Sequence, residues 1–228
     1  MKKALAVATV NGAKHLITAA LAKELSIIKN RRIYIAYGTT NAMLLTHLGI
    51  PKEGYYNGFV SPLGFSTHSS KPEVVILNAD ESPFVDELKK SDIVIKGANA
   101  LSYANGAYHA AVAAASPEGG TYGRIYTKAA CIGTEVIIPI GHEKLVPTIE
   151  TDITQGGFDR VMGRSIALLP LYYGTIYTEI AAFKKLFKLD ARVITSGGIL
   201  GAEGAVTFAI EGSMAHIESA ISFLERYN

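Results

Sequence analysis

The sequence predicts an α/β protein: a mostly parallel, Rossmann-like sheet with helices on both faces, followed by a small carboxyl-terminal ferredoxin-like α+β unit. Three observations carry this. Short runs of aliphatic residues without polar alternation recur at 33–37, 73–77, 92–96 and 135–140, the pattern of strands buried on both faces. Segments with helical spacing separate several of these runs. Beyond about Val146 the composition shifts, and a new order of strand, helix, strand, strand, helix begins. The expected organisation is an α/β ligand-binding domain over 1–146, a linker or lid over 147–163 and the small unit over 164–228.

Each element has a local reason. Residues 11–28 place Ile17, Ala20, Leu21, Leu25 and Ile28 at helical spacing, although Glu24 interrupts the apolar face. Strand 33–37 follows, then a helix over 41–48. Residues 51–70 are rich in Gly, Ser, Tyr and Pro and lack a period, so a long loop is expected, of the kind that often carries function. Ser82-Pro83 is a helix start, capped by Ser with Pro in the first turn, and the helix runs through Lys90. Residues 110–115 fit either a short helix or a buried apolar segment. Gly119-Gly120-Thr121 opens a helix through about Cys131. The polar, Gly-containing stretch 147–163 is the linker or lid. Strand 165–173, helix 175–188, strands 191–196 and 204–210 and helix 213–227 give most of a ferredoxin-like unit, its last strand missing or borrowed. The glycines of 198–204 precede a strand, not a helix, so they read as a hairpin or regulatory turn and not as a dinucleotide fingerprint.

Composition narrows the function. The chain has 228 residues, is 49% hydrophobic and 18% charged, and carries a formal net charge of +2. The one basic cluster, Lys29, Arg31 and Arg32, reads as a solvated strand edge, so no nucleic-acid partner is expected. No run approaches the ~18 apolar residues of a membrane helix, and the apolar run 4–10 is too short for a secretory signal. The single Cys131 excludes an internal disulfide and points to a reducing, cytoplasmic setting. Cys131 itself reads as a small core residue. Scattered histidines without a paired spacing give no metal site, and no cofactor is called for.

The strongest functional signal lies at 31–45, an apolar strand running into Gly38-Thr39-Thr40-Asn41 and a helix. Unsatisfied N–H groups and the positive end of the helix dipole make such a turn an anion site; equally, Thr39, Thr40 or Asn41 can simply cap the helix. Two more polar turns follow apolar strands, around Gly97 and Gly141. Ligands of open α/β sheets sit beyond the carboxyl ends of the strands, where these turns converge. Gly97, Asn99, Gly119, Gly120, Thr121 and Lys144 are therefore candidate binding residues together with Gly38 to Asn41.

Three ionisable residues are candidates for catalysis. Lys96 ends an apolar strand, where it can pair with a phosphate or carboxylate, act as an amine nucleophile, or simply extend to solvent. Glu118 precedes the Gly119-Gly120 helix start and suits either a general base or a helix cap. His142, in the Gly-His-Glu-Lys exit of strand 135–140, titrates near neutrality and can serve as acid or base. His68, in the long loop, is a weaker candidate for the same face.

The motifs resemble, in order, those of the superfamily of sugar-phosphate isomerases, CoA transferases and initiation-factor-2B-like proteins. Residues 37–45 look like the phosphate turn of ribose-5-phosphate isomerase. The segment Asp92 to Asn99 sits where those enzymes carry a strand ending in Asp-Gly-Ala-Asp. Asn105-Gly106 followed by Gly120-Thr121 is similar to the pattern of the methylthioribose-phosphate isomerase and initiation-factor group. The resemblance implies a pocket for a phosphorylated metabolite and a homo-oligomer. Its catalytic carboxylates do not carry over: Lys96, Asn99 and Ala107 stand at those positions. The expectation is a protein that binds a small anionic metabolite, either as an isomerase-like or hydrolase-like enzyme or as a non-catalytic sensor or interaction protein of the same fold.

Overall fold

The computed structural model describes residues 1–68, 73–79 and 85–228. It is a mixed α/β protein whose central sheet contains parallel strands. Strands β2 (Ile33–Ile35), β6 (Ile93–Ile95), β9 (Glu135–Pro139) and β11 (Thr175–Tyr177) run parallel in the order β11-β9-β6-β2. Strand β5 (Val75–Leu77) closes the β2 edge antiparallel. It is only half-buried, which corrects the expectation of a buried strand at 73–77. An edge strand meets a neighbour on one side only. Tyr55 fixes it there: its hydroxyl donates to Ile35 O at 2.5 Å and accepts from Val75 N at 2.9 Å.

The continuous aliphatic runs are explained by cover on both faces. Ile33, Ile35, Ile93 and Ile95 pack on Leu21 and Leu25 of α1 (Val10–Leu25) and on Leu44 and Leu45 of α2 (Thr39–His47). Tyr34, Val94, Val136 and Ile138 face Ile125, Tyr126 and Ala129 on the other side. Those residues belong to a π-helical turn, Tyr122–Tyr126, that runs into α3 (Thr127–Ile132). Each fully buried Val, Leu or Ile contributes ~2 kcal/mol of transfer free energy. Glu24 does not break the apolar face of α1: it accepts from the Tyr177 hydroxyl at 2.7 Å and pairs with Lys185 at 3.1 Å.

Of the two alternatives for residues 110–115, the buried apolar segment holds and the helix does not: through Ala114 they belong to β8 (Ala107–Ala114), mostly buried, which pairs antiparallel with β7 (Ala100–Ala104) and β10 (Ala167–Leu171). Asn105 and Gly106 both adopt left-handed angles, φ 52° and 79°. An Asn-Gly pair of that kind makes the two-residue turn whose twist matches a hairpin. Alanine favours helices, but cross-strand pairing overrides that propensity.

The third sheet has the order β1-β13-β12, all antiparallel, from β1 (Lys2–Ala8), β12 (Asp190–Ser196) and β13 (Val206–Gly212). The sequence places the strand at 165–173 in this carboxyl-terminal unit. Instead, β10 joins β8, β11 joins the central sheet, and the third strand of the unit is β1 from the amino terminus. The 198–204 glycines lie in the β12–β13 hairpin. Helices α1, α4 (Glu179–Phe187) and α5 (Met214–Tyr227) cover the inner face, with Leu16, Phe183, Phe208, Ile217 and Leu224 at its centre. The carboxyl-terminal Asn228 closes the unit: its side chain accepts from Thr9 N at 3.0 Å and donates to Val7 O at 2.9 Å.

The long loop is also structured in part. Strands β3 (Gly58–Ser61) and β4 (Gly64–Thr67) form a hairpin. Phe65 N donates to Met162 O, Arg164 N donates to Phe65 O, and Arg164 Nη1 donates to Thr67 Oγ1, so residues 162–164 hold it. The helix expected from Ser82 to Lys90 begins outside the described residues; within them, Val85–Glu87 forms one 3-10 turn.

Arg31 and Arg32 are not a solvated edge. Arg31 meets Glu135 at 2.7 Å and the Ser91 and Asp92 carbonyls. Arg32 forms a two-pronged pair with buried Asp92, at 3.1 and 2.8 Å. They clamp the amino ends of β2, β6 and β9 together.

At the junction of α1, α2 and α5, His15 Nδ1 lies 3.0 Å from His47 Nε2, and the His15 ring stacks on Tyr227 at 4.0 Å between centroids. Burial lowers the affinity of both imidazoles for protons, and His47 lowers that of His15 further. The folded pKa values therefore lie below the unfolded value near 6.5, so this contribution to stability is complete above that pH and is lost as pH falls. Scanning calorimetry from about pH 7.5 to 5 should show a falling Tm whose slope flattens in His47→Gln. An equal slope in both proteins would show that the pair does not titrate as described.

Candidate functional site

The carboxyl ends of β2 and β6 are joined by one side chain. Asn41 is fully buried in the first turn of α2, and its Nδ2 donates to Ala36 O at 2.6 Å and Ile95 O at 3.3 Å. Its Oδ1 is buried without a hydrogen-bond donor. Asn41 therefore does not cap the helix. Neither do the threonines: Gly38 is the N-cap and no side chain closes it. The first intrahelical bond runs from Ala42 N to Gly38 O, which leaves the N–H groups of Thr39, Thr40 and Asn41 without a helical partner.

These groups open onto a cleft of about 160 Å³ at the carboxyl ends of the parallel strands. Gly38, Thr39, Thr40 and Asn41 form one wall. Lys96, Gly97 and Asn99 come from the exit of β6, Gly119, Gly120 and Thr121 from the turn before the π-helical segment, and Lys144 from beyond β9. Every binding candidate from the sequence lies on this one surface. Gly119 and Gly120 both have left-handed φ, 73° and 58°; two such residues in succession demand glycine. Asn99 has a bracing role, since its Oδ1 accepts from Ala113 N at 3.0 Å.

The electrostatics are set by two lysines. Lys96 is 5% exposed, and its Nζ donates to Gly97 O at 2.9 Å. Lys144 Nζ donates to the next carbonyl, Ala98 O, at 2.9 Å. Among the described residues neither ammonium has a carboxylate within 4 Å. Burial, with a smaller push from Lys144, lowers the Lys96 pKa to about 8. Burial also lowers that of Lys144, helped by Lys14 and opposed by Glu143 and Glu179. Buried charges are ordinarily paired, so this cleft is prepared for a negative charge it does not itself contain.

The other two catalytic candidates do not line the cleft. Glu118 is exposed beside it, and its carboxylate accepts from Ser116 Oγ. His142 is 4% exposed and held on both sides. Its Nδ1 meets Glu179 Oε2 at 2.6 Å and its Nε2 meets the Tyr108 hydroxyl at 2.8 Å, while its backbone N–H donates to the same carboxylate. Phe208 packs against the ring. This chain ties β8, the exit of β9, α4 and β13 into one core. His68 packs with Tyr56 and Phe59 on the hairpin and does not line the cleft. Among the described residues no group of three or more His, Cys, Asp and Glu is placed to hold a metal, and no helix is long and apolar enough to cross a membrane.

Sequence reasoning missed the cleft's far walls. Asn57, Gly58, Phe65 and Thr67 of the β3–β4 hairpin form one, and residues 112–116 at the end of β8 another. The Gly- and Tyr-rich loop signalled the first; no local signal marked the second. Glu179 was also missed, because one acidic residue at a helix start is ordinary in sequence and its burial is set by tertiary contacts. No family model, curated protein or solved structure matches this chain.

An uncompensated buried charge destabilises the empty protein. Lys96→Met keeps the volume and removes the charge, so it should raise the stability of the ligand-free protein by about 1 kcal/mol or more in urea unfolding. A loss of similar size would mean that Lys96 stabilises the fold instead of serving the cleft.

Proposed function

We propose that the protein binds a small anionic, phosphorylated metabolite in the cleft at the carboxyl ends of the parallel strands. The observation that carries this reading is the convergence of the Lys96 and Lys144 ammonium groups, unpaired with any carboxylate among the described residues, on a cleft walled by the free amides at the start of α2. Phosphate suits the donors: backbone N–H groups, two threonine hydroxyls and two cations. In this reading Thr39, Thr40 and Asn41 fix the anion, Gly119 to Thr121 bound it from the opposite side, and Lys144 neutralises it.

For its parallel strands covered on both faces, we read the central layer as a Rossmann-like unit of the sugar-phosphate isomerase superfamily, with a ferredoxin-like appendage completed by β1. The departures from that superfamily bear on chemistry. Among the described residues the cleft lining includes no Asp, Glu or His, so an isomerase built on two carboxylates finds no counterpart among them. Lys96 is the lining group best suited to move a proton or attack a substrate. The same observation favours a second reading, a sensor that binds a phosphorylated ligand without turnover. In either case we take the protein to act in the cytoplasm as a homo-oligomer.

A thermal-shift screen against sugar phosphates, nucleotides and CoA esters tests the reading. A ligand at ~100 times its Kd adds about 2.7 kcal/mol of stability, a rise of several degrees. Lys144→Ala and Thr40→Val should each weaken the best ligand by about tenfold or more, the scale of one lost charge-assisted hydrogen bond, without loss of cooperative melting. A flat screen, or affinity indifferent to both substitutions, contradicts the anion site. Turnover of the best ligand separates enzyme from sensor.

A further inference from the structure

We propose that Lys96 is an amine nucleophile that condenses with the carbonyl group of an anionic aldehyde or ketone held in the cleft. The proposal rests on the anion-binding reading and adds the chemical class of the ligand: a phosphorylated or carboxylated carbonyl compound.

The two lysines are placed differently. A lysine that only neutralises phosphate works well as a strongly hydrated point charge. Lys144, partly buried and within the field of Glu143 and Glu179, suits that task. Lys96 is sited otherwise. It stands directly after β6, its side chain is 95% removed from solvent, and yet it lines the cleft. Its hydrogen bond goes to a neutral carbonyl, Gly97 O, and not to a carboxylate that would hold the proton. A second cation lies beside it. Removal from water beside another positive group is a setting that frees a lysine lone pair for attack. Burial and Lys144 act in that direction, bringing the pKa to about 8, so a substantial share of the amine is neutral near physiological pH.

The step balances without a further reactant. The Nζ lone pair forms a bond to the carbonyl carbon, and the carbonyl π pair moves to oxygen. A proton passes from nitrogen to that oxygen, giving a carbinolamine. Loss of the hydroxyl with one proton, as water, leaves the imine. Nothing is oxidised or reduced. Once protonated, the imine withdraws electrons from the neighbouring carbon. That would allow proton loss or carbon–carbon cleavage in a cleft whose lining, among the described residues, includes no carboxylate or imidazole.

The test is reductive trapping on the full-length protein with glyceraldehyde 3-phosphate, dihydroxyacetone phosphate and pyruvate, each with cyanoborohydride, read by intact mass and peptide mapping. The expected result is a single adduct with the mass of the probe less one oxygen, located on Lys96 and absent in Lys96→Met. Lys96→Arg, which keeps the charge but has no nucleophilic amine, should also give none. Trapping should slow in Lys144→Met, where the neighbouring cation is gone. No adduct with any probe, or adducts spread over surface lysines and unchanged in Lys96→Met, overturns the proposal. Glycerol 3-phosphate, which has no carbonyl, keeps the two claims apart. If it raises the melting temperature and no probe is trapped, the anion site stands and the imine falls; if it does not bind and nothing is trapped, both fall.

Discussion

Lys96 stands directly after β6, buried where a cation is costly, and among the described residues its hydrogen bond goes to a backbone carbonyl. Most other features of the site follow from keeping that ammonium in place. The strand that precedes it is buried on both faces, between α1 and α2 on one side and α3 on the other. Asn41 pins the adjacent strand ends together. Lys144 holds the next carbonyl of the same turn. The result is a rigid positive cleft at the edge of the core, with charge built in ahead of any ligand.

The charge distribution along the central sheet is polar in the literal sense. At the amino ends of the strands, Arg31 and Arg32 meet Glu135, Asp92 and Glu87 in a closed network. At the carboxyl ends the cations have no such partners among the described residues. An arginine fork on a buried carboxylate is a structural clamp, whereas an unpaired lysine in a cleft is a reservoir of unspent electrostatic free energy. His142, one of the acid–base candidates in the sequence, belongs with the first kind. Its bonds to Glu179 and Tyr108 join α4 and β8 to the exit of β9, and its ring packs on Phe208 of the third sheet.

How much was legible in the sequence depends on how local each cause is. The turn from Gly38 to Asn41, the lysine at the end of an aliphatic strand and the paired glycines at 119–120 could be read, because strand exits and helix starts have short-range signatures. The aliphatic runs announced a sheet covered on both faces for the same reason. What could not be read depended on partners far away in the chain. Strand β1 pairs with β13 across some two hundred residues, and the Thr9–Asn228 contacts that fix this join have no sequence pattern. The alanine-rich end of β8 fitted a helix or a buried apolar segment equally in sequence, and the choice is made by its pairing across the Asn105-Gly106 turn. Arg31 and Arg32 looked solvated because their carboxylates lie some sixty to one hundred residues on. The resemblance to isomerases drew attention to Asn105-Gly106 as a site motif; in this fold the pair is a hairpin turn outside the cleft.

Whether an anion completes the two-lysine cleft is measured most directly by a crystal structure of the protein grown with a millimolar sugar phosphate. Electron density for the phosphate within hydrogen-bond distance of the Lys96 or Lys144 ammonium and of the first amides of α2 is the predicted result. Density bound elsewhere, or an empty cleft in which both lysines have turned to pair with carboxylates of the chain, would contradict it.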